Sequence, residues 1–248
     1  MFPYDHAIVA AVRRSPESVS DVLEIMQTID TTCADTDGLK WFNWLYFQVT
    51  QAVKARVDEG GFTDPTWLAR LDVVFAQFYF NALGTALSGS PAPGCWQAMF
   101  SVRSDTRITR IQFALAGMNA HINHDLCQAI VATCRATGRP LQHGTAQYGD
   151  YTSVNTTLDS MIQSAKQTLA VRLPGESIAA VPQLENVIAA FDISAAREHA
   201  WNTAEALAVL PDAAAAQLLE FINGITAALG KSLLVPLPSS TSPLPEAW

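Results

Sequence analysis

Positive charge is scarce in this sequence. Lys and Arg number 15 against 23 Asp and Glu, for a formal charge of -8. A broad basic surface is therefore excluded, and neither nucleic acid nor an anionic membrane is expected as a partner. Cysteine is sparse too. Cys33, Cys95, Cys127 and Cys134 form no CxxC pair, and Cys127 and Cys134 lie too far apart along one helix to bridge. They read as reduced core thiols of a cytoplasmic protein, which makes the sequon at Asn155 incidental. No run reaches roughly 18 uninterrupted apolar residues, so no membrane span is expected. The N-terminal apolar stretch has Asp5 before it and Arg13–Arg14 after it, the reverse of a secretory signal. There is no GxGxxG, Walker loop, GxSxG, HExxH or zinc-finger spacing.

Hydrophobic residues, in contrast, make up 49% of the 248 residues. That is enough to bury a large core. Helix signals recur along the chain and alternating strand patterns are few. Ser18–Asp21 can cap a first helix through about Ile29. Asp35–Gly38 reads as a turn, followed by a helix that stops at Gly60–Gly61. Asp64–Pro65 opens the next helix, and a short helix covers Cys95–Phe100. The longest periodic stretch runs from about Ile108 to Thr137. A loop follows to Asp150, then a helix to about Arg172 with Thr152 or Ser153 as its cap. LPGES breaks it, and Pro182–Phe191 is a weaker segment. Asp192 caps a helix to about Leu210, and Pro211 starts the last one, ending at Gly230. The expected fold is all-α: an irregular multi-helix bundle around a buried central helix. Residues 1–234 form one helical domain, and 235–248 a Pro/Ser-rich tail.

The central helix carries the distinctive residues. At about 100° per residue, Ala114, Gly117, His121, His124, Asp125 and Gln128 share one arc. Gln112, Asn119 and Asn123 form a second polar stripe roughly opposite. Polar groups on two faces of an apolar helix suggest burial and pairing rather than a solvated face. Gly117 costs roughly 1 kcal/mol against Ala in a helix interior, so a close approach by a helix or ligand is expected there. His121 and Asp125, one turn apart, suit either a shared metal ion or a carboxylate-oriented general base. A self-satisfied pair that fixes packing is the bland alternative.

Other polar residues in apolar helices extend the candidate site: Asp72 with Tyr79 on one face, Asn43 with Tyr46 and Thr50, and Arg197 with Trp201. A buried carboxylate needs a partner, and Arg197 could pair with Asp72 or Asp125. His199 lies on the opposite face from Arg197. His143 and Asp150 flank a Gly-containing loop able to close over a pocket.

FALAGMNAHINHDL resembles the signature of DUF5995, a bacterial family of unknown function. DGLKWFNWLYFQVTQAV, LDVVFAQFYFNAL, the PxPGCW segment, DYTSVNTTL and AAREHAW support the resemblance, which spans about residues 36–208. It implies one domain with its most distinctive residues on the central helix, and no activity. A partial likeness, touching only His121 and Asp125, is to zinc-dependent phospholipase C and S1-type nucleases. Their trinuclear site needs more ligands than a chain with five His readily supplies.

The favoured expectation is an enzyme acting on a small organic molecule by metal-dependent hydrolysis. His121, His124 and Asp125 would hold one zinc, iron or manganese ion. His199, Asp72 or His143 would complete the set, and a metal-bound water would attack. The alternative is a metal-free cyclase or isomerase using His121–Asp125 as acid and base. A non-catalytic binding or structural protein is the third reading. Asn119, Gln128, Asp72, Tyr79, Asn43 and Trp201 are the expected pocket residues, and Arg197 a further catalytic candidate. Oligomeric state is not legible.

Overall fold

The computed structural model describes residues 2–169 and 192–236. Within them every regular element is helical: α1 (Asp5–Val12), α2 (Val19–Thr32), α3 (Gly38–Asp58), α4 (Pro65–Leu87), α5 (Gly94–Phe100), α6 (Arg110–Ala120), a π-helical turn (His121–Asp125), α7 (Leu126–Thr137), α8 (Ala146–Leu169), α9 (Ile193–Val209) and α10 (Asp212–Leu233). The all-α expectation therefore holds among the described residues.

Most helices start where side-chain oxygens can take the free first-turn N–H groups. Ser18 and Asp21 form a reciprocal capping box, and Asp37, Asp64 and Asp192 cap α3, α4 and α9. Gly138, at φ 67°, takes the left-handed conformation that ends α7. The structure corrects the expected boundaries at three places. Residues Asp5–Val12 form an unforeseen helix, with Asp5 accepting from the Phe2 N–H at 2.9 Å. α8 starts at Ala146 rather than Asp150, because Thr145 caps it through the Tyr148 N–H at 3.2 Å. Gly230 does not end α10. It lies inside the helix, packed close to Ala98 of α5, and the helix runs on to Leu233. The LPGES break, the Pro182–Phe191 segment and the tail beyond Pro236 lie outside the described residues.

α6 sits at the centre, with every residue from Ile111 to Ala120 buried. α3, α5 and α10 pack around it, and α4 and α9 pack on α7. The second polar stripe of the central helix grips α10. Gln112 donates to the Leu233 and Val235 carbonyls at 2.8 and 2.7 Å, and Asn119 to the Thr226 carbonyl at 2.9 Å. The bonds from Gln112 satisfy carbonyls at and just beyond the end of α10 that the helix itself leaves free. α10 is long and apolar enough to cross a membrane by length and composition alone. Here one of its faces packs on α5 and α6.

A buried ion triad closes the N-terminal end. Arg103 binds Asp37 and, at 2.9 Å, Asp5. The Tyr4 hydroxyl adds a bond to Asp37. The triad ties α1, the start of α3 and the loop before α6 together. All four cysteines are buried and free.

Candidate functional site

The central helix is not one α-helix throughout. The Leu126 N–H bonds the carbonyl of His121, five residues back, closing a single π turn. One extra residue per turn rotates everything beyond it by about 100° from an unbroken α-helix. This is why the polar arc expected from the helical wheel does not stay together. Gln128 turns back to the His124 carbonyl at 2.9 Å. Gly117 takes no ligand. The Phe42 ring of α3 lies against it so closely that an added Cβ would overlap the ring.

Asp125 is the hub of the π turn. His121 Nδ1 lies 3.0 Å from one carboxylate oxygen and His124 Nδ1 2.8 Å from the other. Trp96 Nε1 of α5 donates to the first oxygen at 2.9 Å. Burial alone would raise the Asp125 pKa, but the hydrogen bonds from His121 and His124 outweigh it and hold the carboxyl below its ordinary value. An ionised carboxylate only accepts, so both Nδ1 atoms carry their protons. The lone pair of His121 is then on Nε2. That atom is buried and has no partner among the described residues. Burial lowers the His121 pKa, with Asp125 opposing only in part. The imidazole is therefore neutral and ready to accept a proton.

His121 stands in the wall of a cavity of about 80 Å³ between α3, α4, the π turn, α8 and α9. Its ring stacks on Phe75, centroids 3.5 Å apart, and meets Tyr46 edge-on at 4.7 Å. Phe42, Leu68, Leu126 and Val154 supply apolar wall. The polar wall is short: Tyr46, Asp72 and Arg197 besides His121. Burial pushes the Asp72 carboxyl up to about 7, and its Oδ2 has no partner among the described residues. The Tyr46 hydroxyl is likewise unpartnered. Burial first, then the charges of Asp72 and Asp125, keep its pKa well above the ordinary value. Arg197 donates from Nε to Asn155 at 2.7 Å and from Nη2 to the Tyr151 carbonyl at 2.7 Å, and stacks over the Tyr151 ring.

A model of the family described as "Family of unknown function (DUF5995)" matches residues 19–236. The chain belongs to that family. No curated protein and no solved structure matches it. The partial likeness to zinc-dependent phospholipase C and S1-type nucleases finds no support. In this DUF5995 chain the GMNAHINHDL run, residues 117–126, holds both the glycine that admits Phe42 and the whole π turn.

Of the residues singled out from the sequence, the structure brings His121, Asp72 and Arg197 to one cavity, with Asp125 and His124 directly behind His121. It does not pair Arg197 with Asp72 or Asp125: Nε and Nη2 of the guanidinium bond α8 instead. His199 is exposed and away from the cavity. His143 sits at the surface between Glu198 and Glu205, each at 3.0 Å. Asp150 takes the Thr63 and Asp64 N–H groups and fixes the start of α4. Asn43 donates to the Met26 carbonyl and Tyr79 stacks on Trp96, both behind the cavity wall. Trp201 is buried against Trp67 and Tyr151 and bonds Glu205. Asn119 faces α10. Among the described residues no three His, Cys, Asp or Glu side chains converge as a metal site would need. Sequence reasoning missed Trp96 and Phe75, and did not place Tyr46 beside His121. Their helices are apolar and aromatic on all sides, so no periodicity marks the inward face.

Proposed function

We propose that the protein is an acid–base enzyme acting without a bound metal on a small organic molecule held in the α3–α4–α9 cavity. The reaction class is proton relocation, as in an isomerase or cyclase. His121 Nε2 takes a proton from the bound molecule. Asp125 stabilises the imidazolium that forms, held in place by His124 and Trp96. Asp72 acts as the acid: with a pKa near 7 it carries a proton in about half of the molecules at neutral pH. After turnover His121 holds one proton more and Asp72 one fewer, and exchange with solvent restores both. Tyr46, which keeps its proton, is placed to donate to a developing oxyanion.

The observation that carries this reading is the orphaned His121 Nε2 in a cavity wall, with Nδ1 locked on a buried carboxylate. That is how an imidazole is prepared as a base. It also weighs against Asp125 sharing a metal ion with His121, since the carboxylate oxygens already accept from His121, His124 and Trp96.

The test is proton NMR in D₂O, with a panel of small ketones, esters and enoic acids. Wild type should catalyse C–H deuterium incorporation into at least one. His121→Gln should slow it by about 100-fold, and a chelator should leave it unchanged. Exchange that survives His121→Gln, or that a chelator abolishes and zinc or manganese restores, would overturn the reading.

A further inference from the structure

Arg197 is the one charged group of the cavity wall that the proton-transfer scheme leaves without a task. It is buried, at 7% exposure. Its partners are a neutral amide, Asn155, and a backbone carbonyl, Tyr151. No carboxylate among the described residues lies within ion-pair distance of it. Asp72 lines the same cavity and is not paired with it. A buried guanidinium with only neutral acceptors is costly to keep. Burial lowers its pKa, with the neighbouring Tyr151 opposing. Nη1 is the one guanidinium nitrogen that makes no bond to a described residue.

The remainder of the wall is hydrocarbon and aromatic. Leu68, Leu71, Ile122, Leu126, Val154 and Leu158 are drawn from α4, the central helix and α8. At roughly 10–15 Å³ of such space per water-sized group, 80 Å³ holds about six non-hydrogen atoms. This room suits the reacting part of a small molecule rather than the whole of a nucleotide.

We propose that the substrate is a small monocarboxylate of about four or five carbons, held by its carboxylate on Arg197 and by its apolar body against Leu68, Leu126 and Val154. The proposal deepens the acid–base reading, because it names the ligand whose proton His121 would move. Arg offers a carboxylate charged, directional donors. The ligand also supplies the counter-charge that the fold withholds. A cationic ligand would meet Arg197 head-on, and a neutral one would leave it uncompensated.

The experiment is calorimetric titration of the full-length protein at pH 6 with pentanoate, pentanamide, pentan-1-ol and pentylammonium. Pentanoate should bind at least about tenfold more tightly than the isosteric amide, the size of effect a charged hydrogen bond gives. Pentylammonium should not bind. In Arg197→Gln the preference for pentanoate over pentanamide should vanish. Because Arg197 also ties α9 to α8, the second variant is Asp72→Asn, which leaves those bonds intact. In wild type, pentanoate affinity should fall as Asp72 ionises above pH 7, and Asp72→Asn should abolish that fall. Equal affinities for pentanoate and pentanamide in wild type would overturn the proposal. So would an unchanged preference in folded Arg197→Gln, or a fall in affinity with pH that persists in Asp72→Asn. His121→Gln separates this proposal from the catalytic reading. Selective pentanoate binding in that variant, without deuterium exchange by wild type, would uphold the ligand class and sink the acid–base chemistry. Exchange without carboxylate preference would do the reverse.

Discussion

Replacing Asp72 by Asn should make the protein more stable at alkaline pH while removing the proposed acid. The native carboxyl titrates near 7, raised by burial from the ordinary 3.8. Between those values the native protein holds a proton that the unfolded chain has released. Stability must therefore fall as pH rises from about 4 to about 7, and remain low above that. The rise of about three pKa units corresponds to about 4 kcal/mol at about 1.4 kcal/mol each. Asp72 is only part-buried as a residue, and allowing for that leaves about 2–4 kcal/mol. Asn cannot ionise and is close in shape to the protonated acid. At pH 5, a little over one pH unit into that fall, the variant should be the more stable by about 1–2 kcal/mol. At pH 8 the variant should be more stable by about 2–4 kcal/mol, or about 6–12 °C in melting temperature at roughly 3 °C per kcal/mol. Urea unfolding followed by tryptophan fluorescence at both pH values measures this directly. Equal effects at pH 5 and pH 8, or a variant destabilised at pH 8, would refute the reasoning. Gain of stability in this variant together with loss of the proposed proton transfer would show that Asp72 is retained for chemistry rather than for folding.

Three other substitutions probe the scaffold. Gly117→Ala gains about 1 kcal/mol of helix propensity but drives a methyl into Phe42, so a net loss of about 1–3 kcal/mol is expected from thermal melts. Arg103→Met leaves Asp5 and Asp37 buried without their cation and should cost about 3–5 kcal/mol by urea titration at pH 7. Hydrogen bonds to Glu198, and then Glu205, raise the His143 pKa. The stabilisation it gives is present below the ordinary histidine value and lost as pH rises through the raised one. His143→Ala should therefore lower the melting temperature at pH 6 and leave it unchanged at pH 9.

Helix starts were legible because they depend on neighbours in sequence. Ser18 with Asp21, Asp37, Asp64 before Pro65, and Asp192 each meet their own backbone N–H groups two or three residues on. The site was legible only in part. His121 and Asp125 stood out because polar groups inside an apolar helix need a reason to be there. What surrounds them was not readable. Trp96 lies 29 residues from Asp125 in sequence, and Tyr46 and Phe75 come from helices with aromatic residues all round. The π turn left no breaker to find. The expected arc assumed a uniform rotation per residue, and one inserted residue undid it. Arg197 was legible as a buried cation, but its expected carboxylate partner was not the solution the fold adopts.

The π turn and the unpartnered groups form one argument. An unbroken α-helix places His121 over Asp125 but leaves His124 about 100° from Asp125. The inserted residue changes that spacing where the carboxylate must serve two imidazoles and Trp96 at once. Irregular turns of this kind persist when something other than stability requires them. The cavity beside it carries the same signature. Asp72 Oδ2, Tyr46 OH and His121 Nε2 are each buried without a partner among the described residues, and each such group costs about 1–3 kcal/mol. Val, Phe and Leu at these positions would avoid that cost. In a domain whose net stability is about 5–15 kcal/mol, three such losses around one cavity are a large fraction to give up. A ligand that supplies the missing partners recovers part of it. The melting temperature should therefore rise on adding a molecule that fits, and in Asp72→Val, with one unpartnered polar group fewer, the rise should be smaller.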